Sequence, residues 1–349
     1  MIGSFLGLSK LCDSLEREMG YHFSIADVVY FIRHICIAEG CKNACSHCFS
    51  NAPDKVIQTD LKGYSSIMDE VGRVVASTGR PLRFFHMGAS TDPAFVKGFS
   101  DYLQVWLERF PSFQPVKVFS HGWPLFDNHY SEEFDQMARL LRSCERENLR
   151  IVLSFDHFSR LARENRSLYL SNIRDNLFRL VSLLGKERVR VEVFYLPERN
   201  HCNATCTLQY WIDRVKEGYA GSFREMVSDC QSHVAPVDLE CASVTVDLFT
   251  IFETAGLSPK DLIQMSRDCN SIFPSGRGNR FFGVSQDDRQ HGLDIQKQKV
   301  LYALEDYKYK YDGVIIAPNG SAQMVDYWGY HLGKRLNGGN SLIDYMSCL

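Results

Sequence analysis

Three cysteines, Cys41, Cys45 and Cys48, are the residues of this chain whose type and spacing point most directly to a chemistry. Three thiolates on one short loop can hold an iron-sulfur cubane at three of its corners. Cubanes are normally bound by four thiolates, so with three from the loop one iron would remain open to another ligand. The triplet therefore predicts a metal centre with one position open for chemistry.

Two other interpretations of the triplet remain open. Zinc accepts mixed sulfur and nitrogen ligands, so the three thiols and His47 could form a structural zinc knuckle. His47 directly precedes Cys48, however, which makes it awkward for both side chains to bind one ion. Buried thiols also behave as small hydrophobic groups, and a chain with 12 Cys in 349 residues will contain some close together by chance.

The spacing C-x-x-x-C-x-x-C, with the ring of His47 before the last Cys and Phe49 after it, resembles the radical S-adenosylmethionine (SAM) superfamily. The resemblance implies a 4Fe-4S cluster on the three thiols, with SAM bound at the open iron through its amino and carboxylate groups. It further implies that SAM is cleaved reductively to a 5'-deoxyadenosyl radical, which abstracts hydrogen from a substrate. His47 and Phe49 would then belong to the cofactor site.

A second motif lies in the segment that runs from His86 to Pro93 and contains Ala89, Ser90, Thr91 and Asp92. It is similar to the Gly-Gly-Glu-Pro element of the same superfamily, with an acid before the proline but without the two glycines. The resemblance implies that the backbone of this turn and the acid at its end accept hydrogen bonds from the SAM ammonium group. The alternative is an ordinary turn that caps the next helix.

Two further candidates follow later predicted strands. His121, in a segment that resembles the Thr-Asn-Gly of many relatives, would contact the substrate or the surroundings of the cluster; a structural His is the alternative. Ser154 lies in a segment similar to the Ser-hydrophobic-Asp ending of the family, where the Ser lies near the ribose or carboxylate of SAM. Asp156 could instead cap the following loop.

Short β-rich runs alternate with amphipathic helical stretches along most of the chain, which predicts repeated βα units and a parallel sheet. The predicted strands cover 29–37, 82–86, 116–120, 150–155 and 189–195. The predicted helices between them cover 64–76, 94–110, 131–147 and 168–184. A sixth strand is predicted either at 243–249 or in a shorter piece that ends at Phe273.

Repeated right-handed crossovers curl a parallel sheet toward a barrel, although a doubly wound open sheet shows the same alternation. The radical SAM resemblance implies a partial (β/α)6 TIM-like barrel over residues 28–275, after a short N-terminal helical segment at 1–27. Residues 276–349 would form a C-terminal extension with a β-hairpin near its end. This region resembles the SPASM group of peptide-modifying relatives but lacks the cysteines for its auxiliary clusters.

Five later cysteines, which include a second C-x-x-x-C pair at Cys202 and Cys206, could bind another cluster or zinc. Their wide and uneven separation as a set makes buried or surface thiols the simpler interpretation. They are Cys202, Cys206, Cys230, Cys241 and Cys269.

Charge is nearly balanced, with 39 basic and 42 acidic residues, which disfavours nucleic acid or an anionic membrane as a partner. No apolar stretch is long enough to cross a membrane, and reduced thiols that bind iron suit the cytoplasm. The resemblance implies an electron donor such as flavodoxin or ferredoxin. The substrate is expected to be a small molecule or natural-product intermediate; a ribosomally made peptide and, in another class, a zinc-stabilised binding protein are the alternatives.

Overall fold

The structure is a computed structural model. It describes residues 22, 24–46, 48, 52–82, 86–87, 91–121, 128–195, 208–233, 239–266, 269–271, 314–316 and 322–324. The chain divides into two compact units, the first formed by Met1–Val118 with Phe273–Leu349 and the second by Phe119–Ile272.

Helices and strands alternate in both units, which confirms the prediction of a mixed α/β fold. The strands are β1 (Ile32–Ile35), β2 (Ala38–Glu39), β3 (Ile57–Gln58), β4 (His86–Met87), β5 (Val116–Ser120), β6 (Leu149–Phe155), β7 (Val189–Tyr195), β8 (Cys269–Ser271), β9 (Val314–Ile316) and β10 (Ala322–Met324). The helices are α1 (Ile25–Phe31), α2 (Leu61–Thr78), α3 (Phe99–Arg109), α4 (Asn128–Ser143), α5 (Arg160–Glu164), α6 (Arg166–Leu184), α7 (Leu208–Lys216), α8 (Phe223–Ser232), α9 (Leu239–Thr254) and α10 (Pro259–Met265).

In the first unit, the strands of the main sheet follow the order β10-β9-β1-β4-β5. The pairs β9-β1, β1-β4 and β4-β5 are parallel, whereas β10 is antiparallel to β9. The predicted C-terminal hairpin is confirmed by the pairing of Ala322 with Ile316, and its first strand extends the sheet beside β1. Strands β2 and β3 form a separate antiparallel pair.

In the second unit, β6, β7 and β8 form consecutive parallel pairs. The described residues between β7 and β8 include four helices, α7 to α10, where a simple crossover would need one. The described strands do not close into a barrel. Among the helices that the structure describes, none combines the length and the apolar character needed to cross a membrane.

Three local predictions are wrong. Residues 29–31 belong to helix α1 because Ser24 and Asp27 form a capping box that starts a helix through Phe31. Helix α4 begins at Asn128 rather than at the predicted residue 131. Residues 243–249 lie within α9, so the first alternative for the sixth strand is wrong. The second alternative, a short strand in the piece that ends at Phe273, is confirmed by β8, which pairs with β7.

Helix α2 illustrates how sequence signals position the first unit. The Asp60 carboxylate accepts the Gly63 backbone N–H at 2.8 Å and caps its first turn, and Gly79, with φ of 64°, ends it in the left-handed conformation. One face of the helix is buried, through Tyr64, Ile67, Met68, Val71 and Val75. Helix α2 follows β3 and helix α3 follows β4, and the two helices contact each other directly. Burial of this apolar face therefore stabilises both helices.

Tyr169 anchors the core of the second unit beside the end of β6. Its ring is fully buried and stacks on Phe155 with centroids 6.0 Å apart. Its hydroxyl accepts the backbone N–H of Asp156 at 3.1 Å. Replacement of Tyr169 by Phe keeps the ring but leaves this buried N–H without that acceptor, so we expect the free energy of unfolding to fall by about 1 kcal/mol. Urea denaturation followed by circular dichroism measures the change, and an unaltered midpoint would show that this hydrogen bond does not stabilise the fold.

Candidate metal centre

The cysteine triplet lies on a loop whose two ends are paired with each other. The loop leaves β2 and returns through β3, where Ala38 pairs with Gln58 and Glu39 pairs with Ile57. The Cys41 backbone N–H also donates to the Pro53 carbonyl at 2.7 Å. These bonds close the neck of the loop, so the three thiols are held on a short closed segment after β1, as the sequence predicts.

Gly40 occupies the tightest point of this neck. Its φ of 99° lies in the region that L side chains rarely adopt. A Cβ atom at this position would lie 2.1 Å from the Lys55 carbonyl oxygen and 2.9 Å from that of Pro53. Both obstacles are backbone atoms, so the loop can close in this conformation only with glycine at position 40.

None of the three thiols is paired in a disulfide. Cys45 is buried, whereas Cys41 and Cys48 are half-buried. The Cys48 sulfur accepts a hydrogen bond from the Ala52 backbone N–H at 3.4 Å. Hydrogen bonds of this kind to sulfur tune the thiolates of iron-sulfur sites, so the loop chemistry suits such a cluster.

Burial and the nearby Asp92 carboxylate raise the pKa of the Cys41 thiol to about 12. That value is the net effect: the Cys48 thiol also raises the pKa, while hydrogen bonds from the backbone N–H groups of Asn43 and Asp92 lower it. The Cys41 sulfur therefore lies beside both Cys48 and Asp92. A bound metal reverses this balance, because a thiol that coordinates a metal is deprotonated.

Among the described residues, which include all three thiols, no group of three or more His, Cys, Asp or Glu side chains is arranged to hold a metal ion. The donor types fit an iron-sulfur cluster, but the three sulfurs are not assembled around a common point. Metal sites in proteins commonly form only as the metal binds. Cluster binding would therefore need local movement of the thiols within the closed loop.

The Asp92 turn contacts the cysteine loop directly. Asp92 and Thr91 are both buried, and the Asn43 side-chain amide donates to the Asp92 carboxylate at 3.0 Å. Asp92 is followed by a 3₁₀ turn, Pro93–Phe95, whose Phe95 N–H donates to the Asp92 carbonyl at 2.9 Å. The helix that the sequence predicts from residue 94 begins only at Phe99 and has Gly98 at its N-cap. The Asp92 carboxylate therefore does not cap α3.

Gln58 forms a second attachment that sequence reasoning missed. Its side-chain amide donates to the Lys97 carbonyl at 2.8 Å and accepts a hydrogen bond from the Lys97 backbone N–H at 3.2 Å. These two hydrogen bonds resemble those that one residue makes with another in a pair of β-strands. The same amide donates to the Tyr102 hydroxyl, which in turn donates to the Thr59 carbonyl. The sequence gives no sign that Gln58, at the end of the short strand β3, makes these hydrogen bonds, since its partners lie about forty residues away in the chain.

His121 and Ser154 belong to the second unit. The His121 Nδ1 lies 3.8 Å from Oδ2 of the fully buried Asp156. The other carboxylate oxygen of Asp156 accepts the backbone N–H groups of Phe158 at 2.7 Å and Ser159 at 3.0 Å. The alternative that Asp156 caps the following loop is thus confirmed. Ser154 is buried on β6 and pairs in register with Glu192 of β7.

A further polar cluster in this unit was not predicted. His157 Nε2 lies 3.2 Å from the Asp247 carboxylate, and Arg166 Nε donates to the same carboxylate at 3.1 Å. Arg166 also donates to the Ser243 hydroxyl. These contacts connect the start of α6 to α9, so Arg166 serves the fold of this unit.

Several predicted site residues cannot be placed. His47, Phe49, Ala89 and Ser90 lie outside the described residues, as do Cys202 and Cys206. Cys230 is buried and accepts a hydrogen bond from Trp211 Nε1 at 3.2 Å, an environment typical of a structural thiol.

Comparisons of the chain with protein-family models, with curated proteins and with solved structures found no match.

Proposed function

We propose that this chain is a radical SAM enzyme, which binds a 4Fe-4S cluster through Cys41, Cys45 and Cys48 and cleaves SAM reductively. One observation carries the proposal: Asn43, between the first two cysteines of the loop, donates at 3.0 Å to the carboxylate of Asp92, in the turn that resembles the SAM-binding element. The two motifs are about fifty residues apart in the chain. If the thiols were close together only by chance, there would be no reason for the cysteine loop to contact this turn.

The order of the motifs along the chain also supports the proposal. The cysteine loop, the Asp92 turn, His121 and Asp156 each follow the carboxyl end of a different strand, β1, β4, β5 and β6 respectively. Active-site residues of parallel α/β folds occur at these ends. This order of motifs supports the kind of repeated βα fold that the resemblance implies.

The residues of the chain bind and orient the reactants. The three thiolates would hold the cluster, and the turn that contains Thr91 and Asp92 would line the bound SAM. When bound, the cluster and SAM would supply a carbon radical: one electron from a donor such as flavodoxin or ferredoxin releases methionine, and the radical takes a hydrogen atom from the substrate to give 5'-deoxyadenosine. The buried side chains of Asn43, Cys45, Thr91 and Asp92 would help to exclude water from this chemistry.

The substrate proposed for this site is a small molecule or natural-product intermediate. The residues that resemble the SPASM extension of peptide-modifying relatives lie almost entirely outside the described residues. They therefore add no support to a peptide substrate.

The decisive experiment is anaerobic reconstitution of the full chain with iron and sulfide, followed by metal analysis and incubation with dithionite and SAM. We expect about four iron and four sulfide ions per chain, a brown chromophore, and 5'-deoxyadenosine detected by mass spectrometry. One zinc per chain with no colour and no 5'-deoxyadenosine would contradict the proposal and identify the loop as a structural zinc site.

A further inference from the structure

The side chain of Asn43 connects two parts of the proposed site that are distant in sequence. Asn43 lies between Cys41 and Cys45, and its Nδ2 donates to Oδ2 of Asp92 at 3.0 Å. Asn43 is 0% exposed and Asp92 is 3% exposed. A buried carboxylate needs hydrogen-bond donors to offset the loss of water, and a neutral amide supplies one without adding charge.

Two neighbours of Asn43 contact the same turn. The Cys41 sulfur receives a hydrogen bond from the Asp92 backbone N–H. The Lys42 ammonium group lies 5.9 Å from the centroid of the Phe95 ring, within the range of a cation–π interaction. Three consecutive residues of the loop therefore contact the turn formed by residues 92–95.

The backbone of the loop has one residue in a conformation that needs contacts with other parts of the chain to hold it. Ala44, directly after Asn43, has φ of 44°, which a non-glycine residue rarely adopts. Such a conformation persists only when the surrounding contacts hold it in place. The contacts on one side of Ala44 are those that Cys41, Lys42 and Asn43 make with the Asp92 turn.

We infer that Asn43 is a positioning residue, which holds the cysteine loop on the Asp92 turn so that the two form one unit. The inference rests on the proposed function and deepens it. It changes the role expected for Asp92, because this carboxylate supports the loop that would carry the cluster in addition to any contact with SAM. Loss of the bond would therefore impair cluster assembly, whereas an acid that served SAM alone would leave assembly intact.

An exchange of the two side chains tests the inference. Asn43→Asp places two carboxylates against each other in a buried site, so we expect the melting temperature of the metal-free, reduced chain to fall by about 5–10 °C. Asp92→Asn keeps an acceptor opposite Asn43 and should cost less. The double variant N43D/D92N restores an amide opposite a carboxylate, and we expect it to recover at least about half of the loss.

Iron and sulfide content after reconstitution provides the second measurement. Asn43→Asp should bind less than about half of the iron of the wild-type chain, and the double variant should recover part of it. Asn176→Asp is a matched control, because Asn176 is a buried residue of α6 in the other unit. Its variant should melt earlier, but Asp92→Asn should not rescue it and its folded chain should bind iron normally.

Two results would overturn the inference: a double variant no more stable than Asn43→Asp, or single variants that bind iron as the wild-type chain does. Failure of the proposed function gives a different result. In that case the wild-type chain binds no iron-sulfur cluster, while the melting temperatures of the metal-free variants still show the coupling between positions 43 and 92.

Discussion

Replacement of Cys45 by Ala is expected to reduce the production of 5'-deoxyadenosine to less than about one hundredth of the wild-type level. Loss of a residue that supports a metal ligand typically costs 10–100-fold, and loss of the ligand itself should cost more. Cys45 is only 8% exposed, and the Cys48 backbone N–H donates to its carbonyl oxygen at 3.3 Å. Alanine preserves that backbone bond, so the substitution removes the sulfur with little change in the loop.

The measurement is the yield of 5'-deoxyadenosine after anaerobic incubation with dithionite and SAM, with iron and sulfide determined on the same sample. Cys144→Ala is the control, because Cys144 is a free, half-buried cysteine of the other unit, where Arg188 donates to its backbone carbonyl at 2.8 Å. This variant should bind as much iron as the wild-type chain. Unchanged production of 5'-deoxyadenosine by Cys45→Ala would refute the assignment of the cluster to this loop.

Replacement of Gly40 by Ala is expected to open the neck of the cysteine loop and to prevent cluster assembly. The added methyl group would lie 2.1 Å from the Lys55 carbonyl oxygen, and the φ of 99° is strained for alanine. Backbone strain of this kind costs about 1–3 kcal/mol, and relief of the overlap costs more because two backbone segments have to separate. We therefore expect a free energy of unfolding lower by about 3 kcal/mol or more and an iron content near zero.

The Gly79→Ala variant tests the effect of backbone strain without steric overlap of the added methyl group. Gly79 also has a positive φ, 64°, but among the described residues beyond its chain neighbours and its own helix, none has an atom within 4 Å of the position that its Cβ would occupy. Its replacement should cost about 1 kcal/mol and leave iron binding unchanged. Denaturant unfolding and iron analysis of the two variants provide the comparison. Equal destabilisation, or normal iron binding by Gly40→Ala, would show that the neck does not need glycine.

Local sequence signals predicted much of the secondary structure. Strands β5 and β7 have the predicted bounds, and helix α10 begins at Pro259 after Ser258, the type of residue that typically precedes a helix, with Asp261 completing the capping box. These elements depend on residues close together in the chain, such as apolar runs and cap residues. Of the two alternatives for the sixth strand, the one at 243–249 is wrong, although its Val-Thr-Val run suggests a strand. Tertiary packing overrides such β preference, since the buried Phe249 and Phe252 of α9 pack against Phe223 of α8.

In the candidate site, too, some features follow from the sequence alone and others depend on tertiary packing. The sequence determined by itself which donors are present: three thiols at the spacing of a cluster loop, and an acid before a proline in the turn near residue 92. Only the tertiary structure decided that Asn43 meets Asp92, that Gln58 attaches the returning strand, and that the thiols lie apart from a common metal position. Donor types and helix caps depend on near neighbours in the chain, whereas these contacts depend on how β1 and β4 pair and how the intervening chain folds between them. No periodic pattern in the sequence predicts these long-range contacts.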